Sequence, residues 1–372
     1  MRVETDARLD TVQILRALAA LMIVLVHVQA LIGLQAQARG LPFTPVTALP
    51  FGAGVDLFFV ISGFIIVFAS ERFFAAPGGG LAFFRRRVCR IVPLWWFALS
   101  LRIAALSAGG LAGVKALPSA EAIAASYAFI PYDAMGFGPR YPFPVLDLGW
   151  SLNYEMLFYV LFALAMWLPR LQASLAVVAV LLGGVTLVWL FPPQSVPLWF
   201  WFQPIVLDFA FGVGLALLFR HGVRLASAPR LLLAAAGLGL WLFVDVASLG
   251  ADPGPGLYGW SRVLVYGGGA ALIVAGAVLG RTEIRSAALG RICALGDSSY
   301  ALYLLHPFVI LLARIALGPL PLSEAVLWPL VLVVTVVAVA AAEWFHRSIE
   351  KPSVDRLQRM RLPTRQWASN RL

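Results

Sequence analysis

Charge is scarce in this chain. Asp, Glu, Lys and Arg make up 12% of its 372 residues, against about 25% in an ordinary soluble domain. Hydrophobic residues make up 61%, and together these values exclude both a disordered chain and a water-soluble globule. Cysteine is nearly absent: Cys89 and Cys293 are the only two, too few for a disulfide scaffold. Each lies beside an arginine, Arg90 or Arg291, in segments that read as cytoplasmic, so a structural disulfide is not expected, and two isolated thiols make no metal site. The sequence also has no P-loop, no GxGxxG opening a helix after a strand, no HExxH and no paired CxxC, which removes the common soluble-enzyme chemistries. Acidic residues number 18 against 28 basic ones, a formal net charge of +10. In a soluble protein that balance would point to nucleic acid; here the placement of the charges decides.

What is abundant is apolar sequence in bilayer-sized runs, with a mean hydropathy of +0.88. A transmembrane helix needs about 20 such residues, and ten stretches qualify: 12–33, 52–70, 91–108, 149–168, 171–190, 198–219, 231–249, 261–280, 297–317 and 324–345. The expected fold is an all-α, polytopic helix bundle. A weaker stretch, 119–131, reads as a short interfacial or re-entrant helix, and Gly/Pro clusters at 76–80, 191–193 and 252–256 punctuate the chain. No internal repeat is visible, which disfavours the inverted-repeat transporters. Of the 28 basic residues, 21 fall in one alternating set of loops and the tail. The positive-inside rule then puts both termini in the cytoplasm and accounts for the basic pI without nucleic acid. Residues 1–38 carry some marks of a signal peptide, but the apolar run is too long for one and contains His27. Residues 1–352 therefore read as the membrane-embedded domain and 353–372 as a basic cytoplasmic tail.

Ionisable and polar groups inside such spans are costly and mark candidate sites. In the first span Arg16 and His27 share a helix face, roughly 16 Å apart along the axis, with Arg16 near the cytoplasmic end. Asp56 lies roughly 6 Å and Glu155 roughly 9 Å inside the outer ends of their spans, depths close to that of His27. A buried carboxylate needs a partner, and a histidine is a natural one. Arg87 and Arg90, in the second cytoplasmic loop, are spaced i, i+3 and face the same way; their guanidinium forks match phosphate oxygens. Ser151, Glu155, Phe158 and Tyr159 form one stripe, and Ser299, Tyr303 and His306 another, with His306-Pro307 as a candidate kink. Plainer readings compete for each: snorkelling for Arg16, helix capping for Asp56, packing for the histidines, topogenic charge for the arginine cluster. The segment from Glu343 to Pro352 reads as interfacial.

Taken in order, these residues resemble the membrane-bound acyltransferase family 3, across about residues 9–353. The resemblance rests on Arg16 and His27 with ten residues between them, on Gly54-Val55-Asp56-Leu57-Phe58-Phe59-Val60-Ile61-Ser62-Gly63-Phe64, and on Arg87-Val88-Cys89-Arg90-Ile91-Val92-Pro93. It continues through Trp150-Ser151-Leu152-Asn153-Tyr154-Glu155, Ser299-Tyr300-Ala301-Leu302-Tyr303-Leu304-Leu305-His306-Pro307 and Ile349-Glu350-Lys351-Pro352. Each motif alone is weak, but six in the right order are specific. The Asn153-Tyr154-Glu155 version of this fourth-span motif looks like the exopolysaccharide acetyltransferase branch; many relatives have Ser-Val-Glu-Glu at that place instead. Some relatives add an SGNH-type esterase domain; this chain stops after its basic tail, so the resemblance leaves transfer to the membrane domain or a separate partner.

The resemblance implies a bacterial inner-membrane enzyme that moves acetyl, or another acyl group, from cytoplasmic acyl-CoA to a hydroxyl on an exported or cell-surface polysaccharide or its lipid-linked precursor. His27 is then the expected general base, oriented by Glu155 or Asp56. CoA phosphates are expected on Arg16, Arg87 and Arg90, and acceptor or supporting roles fall to Trp150, Ser151, Asn153, Tyr303, His306 and Tyr141. The expected partners are membrane lipids and a carbohydrate acceptor, with no metal and no nucleic acid. The outside segment from Tyr132 to Gly149, with Phe137, Tyr141, Phe143, Asp133 and Asp147, is expected to meet the sugar. The rival readings are a transporter or flippase of lipid-linked sugars, which would use the same buried residue types without consuming a thioester, and O-acylation of a small secondary metabolite.

Overall fold

The fold is described from a computed structural model over residues 10–111, 118–134, 136, 138, 141–244, 258–280 and 287–360. Every regular element among these residues is helical. The first helix, α1 (Asp10–Gln37), is followed by α2 (Gly54–Ala69), α3 (Gly79–Leu111), the short α4 (Ala120–Tyr127), α5 (Trp150–Ala165) and α6 (Arg170–Leu190). After α7 (Val196–Trp201) come α8 (Leu207–Arg220), α9 (Ser227–Phe243) and α10 (Trp260–Arg262). The latter passes through a π turn, Val263–Gly267, into α11 (Gly268–Val278). The chain closes with α12 (Ala287–Asp297), α13 (Ser299–Leu317), α14 (Glu324–Phe345), a second π turn and α15 (Lys351–Met360).

Eight helical stretches among the described residues are long and apolar enough to cross a membrane. A backbone in lipid must satisfy its own N–H and C=O groups, and helices of this length do so. Many large apolar side chains point outward, among them Leu164, Leu231, Phe243, Leu312 and Leu332, a surface that only lipid or another protein could cover. The chain is thus a multi-pass membrane protein of the helical class. Two further expected spans differ from one long helix. The 198–219 stretch is broken into α7, a 3-10 turn at Pro204 and the 14-residue α8, and α9 has only 17 residues.

Contacts between helix ends order the bundle. At one end Glu71 holds Arg170 and lies 3.6 Å from Arg220, and Leu225 N donates to Leu279 O at 2.6 Å. At the other end Arg39 donates to the carbonyls of Leu317 and Gly318 at 2.7 and 2.8 Å. Packing inside is close because small residues allow it. A Cβ added to Gly63 would lie 2.2 Å from Phe209 O, and one added to Gly212 would lie 2.0 Å from Val60 O, so α2 and α8 meet backbone to backbone. Around them Phe59, Phe158 and Phe209 form a stacked series, with centroids 4.4 Å apart at each step. The first helix is the hub, packing on α2, α12, α13 and α14.

Three sequence expectations are refined. The arginine segment is not a loop: α3 starts at Gly79, so Arg85 to Arg90 run from its second turn into its fourth. The weak 119–131 stretch forms α4, its first turn capped by Ser119 Oγ accepting from Ala122 N at 3.1 Å. The start of the basic tail is ordered as α15, which packs on α3; residues 361–372 lie outside the described residues. Both cysteines are buried and neither is in a disulfide; Cys293 Sγ donates to Asp10 O at 3.6 Å.

Candidate active site

Helices α1, α2, α3, α5 and α13 enclose a cavity of about 200 Å³. Its wall carries Arg16, Arg87, Arg90, Glu155, Ser151 and Tyr303, six of the twelve expected site residues, drawn from four helices. Helical spacing does the local work: Gln13 and Arg16 are i, i+3 on α1, Arg87 and Arg90 on α3, Ser151 and Glu155 i, i+4 on α5, and Ser299 and Tyr303 i, i+4 on α13.

The arginines gather at one end. Arg16 donates to Ser299 Oγ at 3.0 Å and to Gln13 Oε1 at 3.4 Å. Arg87 lies over the rings of Phe83 and Tyr159, 5.2 and 5.5 Å from their centroids, and its Nε is buried without a partner among the described residues. Glu155 accepts from Ser62 Oγ at 3.3 Å and from the Tyr159 hydroxyl. With three guanidinium groups against one carboxylate on this wall, the cavity favours an anion. Gln13, Arg16 and Arg90 also line a second, larger space of about 350 Å³, together with Arg86, Glu350 and Lys351. The two spaces therefore share a wall, and the second also carries the carboxylates of Asp297 and Asp355. His346 Nδ1 lies 2.7 Å from Glu350 Oε2 there, a placement the interfacial reading of that segment did not anticipate.

At the opposite end of the cavity the Tyr303 hydroxyl donates to Leu148 O at 2.9 Å and lies 2.8 Å from Ser151 Oγ. Behind Tyr303, at a ring-centroid distance of 6.3 Å, sits His306, and against it His27, with ring centroids 5.1 Å apart. His27 does not line the cavity itself. Its Nδ1 is 2.8 Å from Ile23 O and 3.3 Å from His306 Nε2. Its Nε2 has no protein partner among the described residues and is not sealed from the surface.

The carboxylates expected beside His27 are engaged elsewhere. Asp56, fully buried, takes both nitrogens of a fork from Arg262: Nε at 3.0 Å and Nη2 at 2.5 Å. Arg262 also donates to Gly52 O at 3.0 Å, and buried Asp208 faces the same pair. Glu155 is held by Ser62 and Tyr159. Neither hydrogen-bonds His27. Arg262 and Asp208 were not singled out in the sequence, although each is an ionisable residue in an apolar run, the signal that found Asp56. Arg262 lies at the start of its apolar run, where a charge reads as part of a loop, and Asp208 sits in the span broken at Pro204.

The remaining expected residues scatter. Trp150 packs edge-on against Phe59, Tyr154 and Tyr258. Asn153 is buried with its amide unpartnered among the described residues. Tyr141 sits in the loop before α5, tilted against Phe143 at 6.0 Å and 38% exposed; Phe137 of that loop lies outside the described residues. Among the described residues no group of three or more His, Cys, Asp or Glu could hold a metal ion.

Inside a membrane helix bundle, then, lies an anion-attracting cavity with hydroxyls at its far end and the histidine pair behind Tyr303. Residues 9–344 match the acyltransferase domain of acyltransferase family 3, and the chain belongs to that family of membrane acyl-transfer enzymes. It is also 31% identical over 312 residues to the exopolysaccharide production protein ExoZ of Rhizobium meliloti strain 1021, covering 82% of this chain and 90% of that protein. No solved structure matches it.

Proposed function

We propose that this enzyme transfers an acyl group, acetyl foremost, from cytoplasmic acyl-CoA to a hydroxyl of an exported or cell-surface polysaccharide or its lipid-linked precursor. The observation that carries the proposal is the polarity of the site: three arginines at one end of a cavity that shares a wall with a second, polar space, Ser151 and Tyr303 at the other end, and the histidine pair behind Tyr303, outside the cavity wall. In this reading the bundle crosses the membrane ten times with both termini in the cytoplasm, α7–α8 and α9 completing the count. The arginine-rich end then faces the compartment where acyl-CoA is made.

Arg16, Arg87 and Arg90 hold the CoA phosphates, guanidinium forks on phosphate oxygens, and the pantetheine arm runs along the cavity. His27 Nε2 takes the proton of the acceptor hydroxyl. The alkoxide oxygen attacks the thioester carbonyl, the tetrahedral oxyanion collapses, and the carbon–sulfur bond breaks. The departing thiolate regains a proton from the imidazolium, leaving an ester and free CoA. Glu155 sets the field along the cavity, and Tyr141 and Phe143 meet the sugar at the outer loop, aromatic face against its apolar side. The relative ExoZ, an exopolysaccharide production protein, supports a glycan acceptor.

The test is His27→Ala in membranes supplied with acetyl-CoA and an acceptor glycan. The variant is expected to insert and bind acyl-CoA but to make no ester. Near-normal glycan acylation would overturn the assignment, and a wild-type protein that moves sugar without consuming thioester would make the chain a transporter.

A further inference from the structure

The histidine pair fixes more than proximity. A backbone carbonyl can only accept a hydrogen bond. His27 Nδ1 is 2.8 Å from Ile23 O, and His306 Nδ1 is 3.0 Å from Leu302 O. Each Nδ1 therefore carries the proton, held by the carbonyl one helical turn back. His306 Nε2, 3.3 Å from His27 Nδ1, then meets an N–H and must offer its lone pair. One proton on His27 Nδ1 is thus shared between Ile23 O and His306 Nε2, leaving His27 Nε2 as the bare nitrogen of that ring.

From this geometry we infer that His306 is a positioning residue: it fixes the tautomer and ring orientation of His27 so that Nε2 is the basic atom presented to the acceptor. The inference rests on His27 being the base. It replaces the carboxylate orienter expected from sequence with a neutral imidazole, because Asp56 belongs to Arg262 and Glu155 to Ser62 and Tyr159. His306 is suited to the task. It is 1% exposed, its own Nδ1 is pinned, and Pro307 follows it within α13. During transfer His27 gains its second proton on Nε2 while Nδ1–H stays directed at its two acceptors, so the ring need not turn between taking a proton and returning it.

The experiment compares His306→Asn with His306→Leu. Asn keeps an oxygen that can accept from Nδ1–H but loses volume; Leu fills the space and accepts nothing. Positioning predicts that Leu lowers kcat at least tenfold with acyl-CoA binding unchanged, and that Asn recovers most of that loss. Leu matching or exceeding Asn would make His306 a packing residue and overturn the inference. A second measurement needs no variant to fold. The chain has four histidines, His27, His221, His306 and His346, so ¹⁵N spectra of the wild-type protein in bilayers can resolve each ring. Both His27 and His306 are expected as Nδ1–H tautomers. A His27 that carries its proton on Nε2 would overturn the inference while leaving His27 in the reaction, whereas an active His27→Ala enzyme would remove the base reading beneath it.

Discussion

Replacing Asp56 by Asn separates two accounts of the same residue. By sequence Asp56 lies at the depth of His27 and invites a role in the chemistry; in the fold it is the anchor of Arg262. The pair is buried on both sides, 0% and 6% exposed, and makes a two-pronged contact at 3.0 and 2.5 Å. Removing one partner of a buried pair costs about 3–5 kcal/mol, and buried Asp208, which faces the same guanidinium, offsets part of that loss. Asn keeps one acceptor oxygen, so the lower end applies, about 3 kcal/mol. At roughly 2–4 °C per kcal/mol for chains of a few hundred residues, the melting temperature in detergent should fall by at least about 5 °C. The loss should also spread to the turn that precedes α2, where Arg262 Nη2 donates to Gly52 O at 3.0 Å. The combined change Asp56→Leu with Arg262→Met removes the stranded charge and should cost clearly less than the two single changes added, as partners in one network require. The assay is thermal unfolding followed by tryptophan fluorescence, beside ester formation on the same samples. An Asp56→Asn protein that melts like wild type yet makes no ester would refute the structural account and return Asp56 to the reaction.

Arg87→Ala and Arg90→Ala should each weaken CoA binding at least tenfold, since a hydrogen bond to a charged group contributes about 1.5–3 kcal/mol. Lys at either position should restore charge without the fork, and unchanged binding in both alanine variants would reduce the cluster to a topogenic signal. Glu155→Gln should slow transfer while leaving CoA binding intact; a wild-type rate would assign Glu155 to packing with Ser62 and Tyr159. Gly63→Val should block the approach of α2 to α8, because its Cβ alone would sit 2.2 Å from Phe209 O. Folded protein recovered at wild-type yield would contradict that packing.

How far the sequence carried depended on whether a signal was local. Apolar runs and helical stripes are local, so the spans, the face shared by Ser151 and Glu155, and that of Ser299 and Tyr303 were legible, as was the family. The partners of the buried charges were not. Asp56 and Arg262 are 206 positions apart, and His27 and His306 are 279, and nothing in helical periodicity says which distant span lies opposite. The similar depths read for Asp56, Glu155 and His27 carry no azimuth around the bundle, and in the fold neither carboxylate hydrogen-bonds His27. The start of α3 was missed because a run of arginines looks like a loop in water, whereas here it continues a helix whose cationic turns line a cavity.

The central claim is transfer from an acyl-CoA donor to a sugar hydroxyl by this chain, and purified protein in sealed vesicles tests it most directly. Acetyl-CoA labelled in its acetyl group is supplied on the arginine-rich side and a polysaccharide acceptor on the other, with alkali-labile ester on the polysaccharide and free CoA thiol measured together. Equal amounts of polysaccharide ester and released thiol, both absent with His27→Ala, are the predicted result. Label that appears only on a protein or a lipid amine, or sugar that crosses the vesicle with no thiol released, would contradict it.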